Sequence, residues 1–177
     1  MRSLLPPSCF FTCKRRPGEK TSLTAGLIAH ESEEAHVPTN SQIVLDSIEV
    51  IWNKKELDRI PEFYTEEFVS YQGGFGLFSW NPGRDGLREI VETITKAFPD
   101  YLEEPEIVFE QGDLVIVRQD ISGTNSGDST FPATGRRMKV KDMMICRLKD
   151  GKLHEQWGLS DNYSMLIELG IIEPVVK

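Results

Sequence analysis

Apolar residues recur at helical spacing in two stretches of the chain and at strand spacing in the rest. In "SQIVLDSIEVIW" the residues Val44, Leu45, Ile48, Ile51 and Trp52 fall on one helical face, and Ser41 stands where an N-cap would. "KELDRIPEFY" repeats Leu57, Ile60 and Phe63 at intervals of three, a short helical piece whose length Pro61 limits. "EFVSYQG" reads as a strand and "GGFGLFSWNPG" as a glycine-rich loop carrying Phe75, Phe78 and Trp80. In "RDGLREIVETITKAFPD" one stripe of Leu87, Ile90, Val91, Ile94, Ala97 and Phe98 predicts the longest helix, ended by Pro99.

Strand-length segments follow: "PEIVFEQ", "LVIVRQDISGT", "RRMKVKDMMICRLK" and "KLHEQWGL". Gly112-Asp113 and Asp150-Gly151 supply tight turns, and a Gly/Ser/Asp-rich loop spans 123–135. Helices first and a meander of long strands afterwards argue for an α+β fold, with helices on one face of a curved antiparallel sheet. "NYSMLIELG" closes the chain as a short amphipathic helix, and Asp161 stands just before it, where an N-cap would. Alternation in "LVIVRQDISGT" puts Arg118 on the face of Leu114, Ile116 and Asp120, opposite Val115, Val117 and Gln119, without saying which face is inside.

Composition narrows the class. The chain has 177 residues, 39% of them apolar, enough for a single domain with a real core. Its 28 acidic and 20 basic residues leave a net charge of −8, which repels a phosphate backbone, so nucleic acid is not an expected partner. No apolar run approaches the roughly 20 residues of a membrane span, so the expectation is a soluble protein with no membrane partner. Cys9, Cys13 and Cys146 make neither a disulfide framework nor a zinc pattern, which fits a reducing cytoplasmic setting. Cys9, Cys13, His30 and His36 have no metal-ligand spacing, and no metal is expected.

Residues 1–40 are set apart from the 41–177 domain. They hold Arg2, Lys14, Arg15 and Arg16 with no acid before Glu19, then a polar Pro-containing stretch. This is the composition of a disordered leader or, for residues 1–20, of an organelle-targeting segment.

Four strings in order, "FPDY", "GTNSGDSTFPATGRRMKV", "DGKLHEQWGLSD" and "MLIELG", resemble the SnoaL-like polyketide cyclases of the nuclear transport factor 2-like superfamily, over about residues 41–170. The resemblance implies a cone-shaped α+β barrel, cystatin-like, in which a bent sheet wraps three helices around an apolar cavity. It implies a homodimer paired through the outer face of the sheet. It also implies that Asp161, after Glu155 and Trp157, projects into the cavity as general acid/base, against the capping role its position suggests. Asn125 stands where the family often has histidine, and Asn does not titrate near neutral pH.

The chemistry then expected needs no cofactor: a carboxylate abstracts a proton beside the carbonyl of a small apolar substrate, leading to aldol cyclisation, isomerisation or dehydration. Arg118, Asn125, Tyr71 and Trp80 are candidate donors to the resulting enolate, with Trp52, Asp100 and Trp157 as further lining. His154, beside Leu153 on a strand, reads as an edge imidazole with nothing to orient it. The alternative is a non-catalytic binding or dimerisation module on the same fold. One discriminator follows from geometry: an enzyme encloses Asp161 in a deep pocket, whereas in a scaffold it caps the helix.

Because residues 1–38 carry no periodic apolar positions, they have little surface to bury. Removing them should leave the melting temperature nearly unchanged in a thermal scan; a fall of many degrees would show that they pack on the domain.

Overall fold

A computed structural model describes residues 38–74, 77–128 and 132–175. Phe75, Cys9, Cys13, His30 and His36 lie outside the described residues, as do the side chains of Phe78 and Trp80. Helix α1 spans Asn40–Ser47, and the backbone then widens into a π-helix over Ile48–Asn53. Ile48, Val50, Ile51 and Trp52 are buried there, so the expected apolar face forms on two kinds of turn. The cap is Thr39, whose hydroxyl accepts from Gln42 N at 3.2 Å. Ser41, the expected cap, instead ties to the Glu110 carboxylate through its amide and hydroxyl at 2.8 and 2.5 Å.

A 3₁₀ turn at Leu57–Arg59 leads into α2, Ile60–Phe63, with Pro61 in its first turn, where its missing N–H costs nothing. Strands β1, Tyr64–Gly74, and β2, Leu77–Pro82, form a hairpin. The expected glycine-rich loop is thus half strand, because pairing with β1 satisfies its backbone groups. Helix α3, Gly83–Ala97, buries Leu87, Val91 and Ala97, with Ile90 and Ile94 packed at the margin of the core.

The meander follows as β3, Leu102–Gln111; β4, Leu114–Thr124; β5, Arg137–Lys149; and β6, Lys152–Ser160. Asp150 and Gly151 both have positive φ, 52° and 72°, as the two-residue turn between β5 and β6 demands. Helix α4, Asn162–Glu168, ends the fold.

The α+β expectation holds, with two corrections to its sheet. The order is β2-β1-β6-β5-β4-β3, and β6 returns beside β1 in the parallel sense, so the sheet is mixed. It also stays open, with β2 and β3 as edges. Helix α1 contributes Val44, the π-helix Ile48 and Ile51, and α3 Leu87 and Val91 to one core with Phe68 of β1, Val115 and Val117 of β4, and Met144 and Cys146 of β5. Among the described residues, no helix is long and apolar enough to cross a membrane.

The two faces of this sheet differ in kind. Residues opposite one another on neighbouring strands share a face, and the register links Phe109, Ile116, Ile145, Trp157 and Tyr71 into one apolar row across five strands. Phe109 is 58% exposed, so this is the outer face. A second row joins Ile107, Arg118, Met143 and Leu159. The inner face carries the alternate residues, buried Val115, Val117 and Ile121 on β4 and Val140, Met144 and Cys146 on β5.

Candidate active site

Polar side chains interrupt that apolar inner face where β3, β4 and β5 run side by side. Gln119 of β4 stands directly opposite Asp142 of β5, which stands opposite Ser160 of β6. Glu103, two residues ahead of the register shift in β3, reaches the same place. Gln119 Nε2 donates to Glu103 Oε2 at 2.9 Å and to Asp142 Oδ2 at 3.1 Å, and Ser160 Oγ donates to Asp142 Oδ1 at 2.6 Å. Tyr101 Oη donates to Glu103 Oε1 at 3.1 Å. One amide therefore bridges two carboxyl groups, and only its nitrogen end can face two acceptors.

Burial separates the two acids. Glu103 is 6% exposed and Gln119 1%, while Asp142 is only half-buried. Loss of water around Glu103, and then the negative charge of Asp142, push its carboxyl from an ordinary 4.5 up to about 7, against the hydrogen bonds from Gln119 and Tyr101 and the charge of Lys55. The Tyr101 hydroxyl is raised well above its ordinary range, first by burial, so it remains a neutral donor. Gln119 Oε1 is buried with no partner among the described residues, an acceptor that a ligand O–H could satisfy. Among those residues no cluster of three or more His, Cys, Asp or Glu could hold a metal ion.

Asp161 is not part of that hydrogen-bonded network. It is exposed, and its carboxylate accepts from Ser164 N at 3.0 Å and from the Ser164 hydroxyl at 2.7 Å, an N-cap on α4. The Ser164 backbone N–H, and then its hydroxyl, hold the Asp161 carboxyl below its usual range. An open groove beside it is lined by Asp142, Met143, Leu159, Ser160 and Tyr163, so the half-buried Asp142 borders the same groove.

The other expected residues are dispersed. Arg118 is on the outer face, ion-paired with Glu106. Tyr71 and Trp157 stack on that same face at 5.8 Å and 12°, with the Arg147 guanidinium 5.3 Å from the Trp157 ring centre. Trp80 pairs with Tyr71 in the β1–β2 register. Asp100 is exposed and binds Thr124 N and the Arg137 guanidinium, at 2.6 and 2.8 Å. Asn125 is wholly buried, donating to Gly127 O at 3.0 Å and accepting from Thr134 N at 2.9 Å, which pins the β4–β5 loop. His154 Nδ1 shares a hydrogen bond with the Thr65 hydroxyl at 3.0 Å. Among the expected residues whose side chains are described, Trp52 is the one near the acidic pair, its ring 6.3 Å from Tyr101 and its Nε1 donating to Tyr64 Oη at 3.3 Å.

A model of the SnoaL-like polyketide cyclase family matches residues 42–169. The chain belongs to that family. Its solved structural relatives share the fold: IdmH from Streptomyces antibioticus, described as a "putative polyketide cyclase", is 27% identical with a TM-score of 0.65, over 75% of this chain and 99% of IdmH. The phenazine biosynthesis-related protein PhzB2 from Pseudomonas aeruginosa is 22% identical with a TM-score of 0.66, over 78% of this chain and 89% of its own, a likeness of fold alone. No curated protein matches the chain.

Sequence reasoning missed Glu103, Gln119, Asp142 and Tyr101. A signal existed for Asp142, the one acid in the phase of Met138, Val140, Met144, Cys146 and Leu148. Glu103 had none, since β3 is mostly exposed and the register shift breaks its alternation.

The raised Glu103 carboxyl has a thermodynamic signature. Below about pH 4.5 it is neutral in both folded and unfolded chains, and its contribution to stability is fully present. As pH rises toward 7 the unfolded chain releases the proton first, so that contribution is lost. In urea unfolding, Glu103→Gln should gain on the wild type by about 2–3 kcal/mol between pH 5 and pH 8. A gap that does not change with pH would mean Glu103 titrates as an ordinary carboxyl.

Proposed function

We propose that this chain is a cofactor-independent acid/base enzyme that acts on a small, largely apolar carbonyl compound, with Asp142 and Glu103 as its proton-transfer pair. The observation that carries the reading is the bridged pair itself, a half-buried carboxylate beside a wholly buried carboxyl that one amide joins on the inner face. Asp142 has access to a ligand and accepts from two fixed donors, Gln119 and Ser160, so it suits a general base. It would take a proton from a carbon next to the carbonyl. The electron pair left behind moves onto the carbonyl oxygen as an enolate.

The neutral partner supplies stabilisation. A proton on Glu103 Oε1 reverses its contact with Tyr101, so that Glu103 donates to Tyr101 Oη and the Tyr101 O–H is free to donate elsewhere. The enolate carbon then attacks a second carbonyl in the same molecule, forming a carbon–carbon bond, and the new alkoxide takes up the proton. That is an aldol cyclisation; return of the proton to a different carbon would be an isomerisation. Gln119 Oε1 favours a substrate with a hydroxyl or enol near the reacting carbon. Family membership and the likeness to IdmH support the reaction class.

The alternative, a binding module without catalysis, draws on one observation: Asp161 caps a helix in the open. Substitution separates the two. Asp142→Asn should lower turnover of an enolisable diketone by about 10² to 10⁴, whereas Asp161→Asn, an equivalent cap, should leave it near the parental rate. Parental turnover in Asp142→Asn would remove the acid pair from the chemistry.

We also infer that two copies pair through the outer face, because the Phe109-to-Tyr71 row and Leu159, 69% exposed, form one apolar patch that no other described element covers. Arg147, held against Trp157 and bound to Glu155 at 2.5 Å, supplies a polar anchor within it. Light scattering should give twice the chain mass at tens of micromolar, and Ile145→Lys should give the chain mass. A monomeric wild type would refute the pairing.

A further inference from the structure

Glu103 sits on β3, an edge of the sheet, where one side of its backbone has no strand to bond. A side chain takes that place: Glu103 N donates to Asn53 Oδ1 at 2.9 Å, and Asn53 Nδ2 donates to Glu103 O at 3.0 Å. Asn53 is the last residue of the π-helix, and its amide imitates the missing neighbour strand for a single residue. Lys55, two residues on, has a positive φ of 60°, which costs a non-glycine residue about 1 kcal/mol or more. That conformation turns its ammonium back to donate to Tyr101 O at 2.6 Å and to Asn53 O at 3.0 Å. The segment 53–55 thus holds the Tyr101 carbonyl, two residues before the acid, and the backbone of Glu103 itself.

Among the described residues Lys55 makes no hydrogen bond to a carboxylate, and its charge acts on Glu103 through space. The groups that face Glu103 come from every side: Asp142 and Cys146 on β5, Gln119 on β4, Tyr64 on β1, Tyr101 ahead of β3, and Lys55. Asp142 is anionic when ionised, the two tyrosines and the thiol are kept neutral by burial, and Lys55 is the cation among them. Burial makes the Lys55 ammonium itself easier to deprotonate, and the charges of Glu103 and Asp100 oppose that.

We infer that Asn53 and Lys55 form a clasp that positions Glu103 and sets the balance between its two protonation states, Asn53 by fixing the peptide and Lys55 by its charge. The π-helix is what brings them there. An α-helical continuation would rotate Asn53 away from the edge of β3, because each residue of a π turn advances by a smaller angle. Both are positioning residues, acting through Glu103, and the inference rests on the reading of Glu103 as half of the acid pair.

The test is a carboxyl titration of the full chain by ¹³C NMR with labelled glutamate, the Glu103 signal being the one lost in Glu103→Gln. Lys55→Met should move the Glu103 midpoint upward by about half a pH unit or more, and Lys55→Arg should keep it near the wild type. Asn53→Ala should speed hydrogen exchange at the Glu103 amide at least ~10-fold, with the β4–β5 amides unchanged, and should lower kcat more than it raises KM. An unmoved midpoint in Lys55→Met, an equal shift in Lys55→Arg, or unchanged exchange in Asn53→Ala would overturn the clasp. The titration and the exchange rates do not need turnover, so active Asp142→Asn and Glu103→Gln enzymes would refute the acid/base reading while the clasp is judged on those two measurements.

Discussion

Two carboxyl groups on the inner face of one sheet, joined by a single amide, set the terms for everything around them. Water is excluded from Glu103, and Asp142 adds its negative charge, so the pair holds a proton in the neutral range that neither acid would hold in water. The surroundings supply the donors the pair requires. Gln119 contributes both hydrogens of one nitrogen, Tyr101 and Ser160 one hydroxyl each. Removing Gln119 or Tyr101 would leave a buried Glu103 oxygen unpaired, at about 1–3 kcal/mol.

The architecture follows from where that pair sits. Glu103 belongs to an edge strand, so its backbone needs a partner from outside the sheet, and the π-helix brings Asn53 to it. Gln119 and Asp142 belong to the long central hairpin, whose register places them face to face. Ser160 is the last residue of β6, and Asp161 then starts α4 by capping it. Ser160 and Asp161 are neighbours in the chain but serve different ends, Ser160 donating to Asp142 of the acid pair and Asp161 capping the helix in the open.

Much of the fold was legible in the sequence, because its cause is periodic. The α3 stripe, the alternation of β4 and the Asp150-Gly151 turn each follow from spacing or from a backbone conformation few residues adopt. β2 was not legible, since its glycines and aromatics carry no alternation and only the pairing with β1 makes it a strand. The π-helix was not either, because a π turn and an α turn bury the same apolar residues. The site was harder to read for a related reason. Asp161 attracted a catalytic reading through its neighbours in the chain, whereas Glu103 and Asp142 are 39 positions apart and meet only through strand register. Arg118, Tyr71 and Trp157 fell on the outer face because alternation defines which residues travel together and not which way they turn. Asn125 was visible as a change of residue type, and its burial makes it a loop anchor.

The central claim is that one buried carboxyl near the amide bridge carries a proton at neutral pH. Infrared difference spectroscopy between pH 5 and pH 9 reads it directly, through the carbonyl band of a protonated carboxyl. A band that disappears with a midpoint near 7 in the wild type, and is missing from Glu103→Gln, is the result this account predicts. A band that titrates entirely below pH 5, or one that persists unchanged in Glu103→Gln, would contradict it.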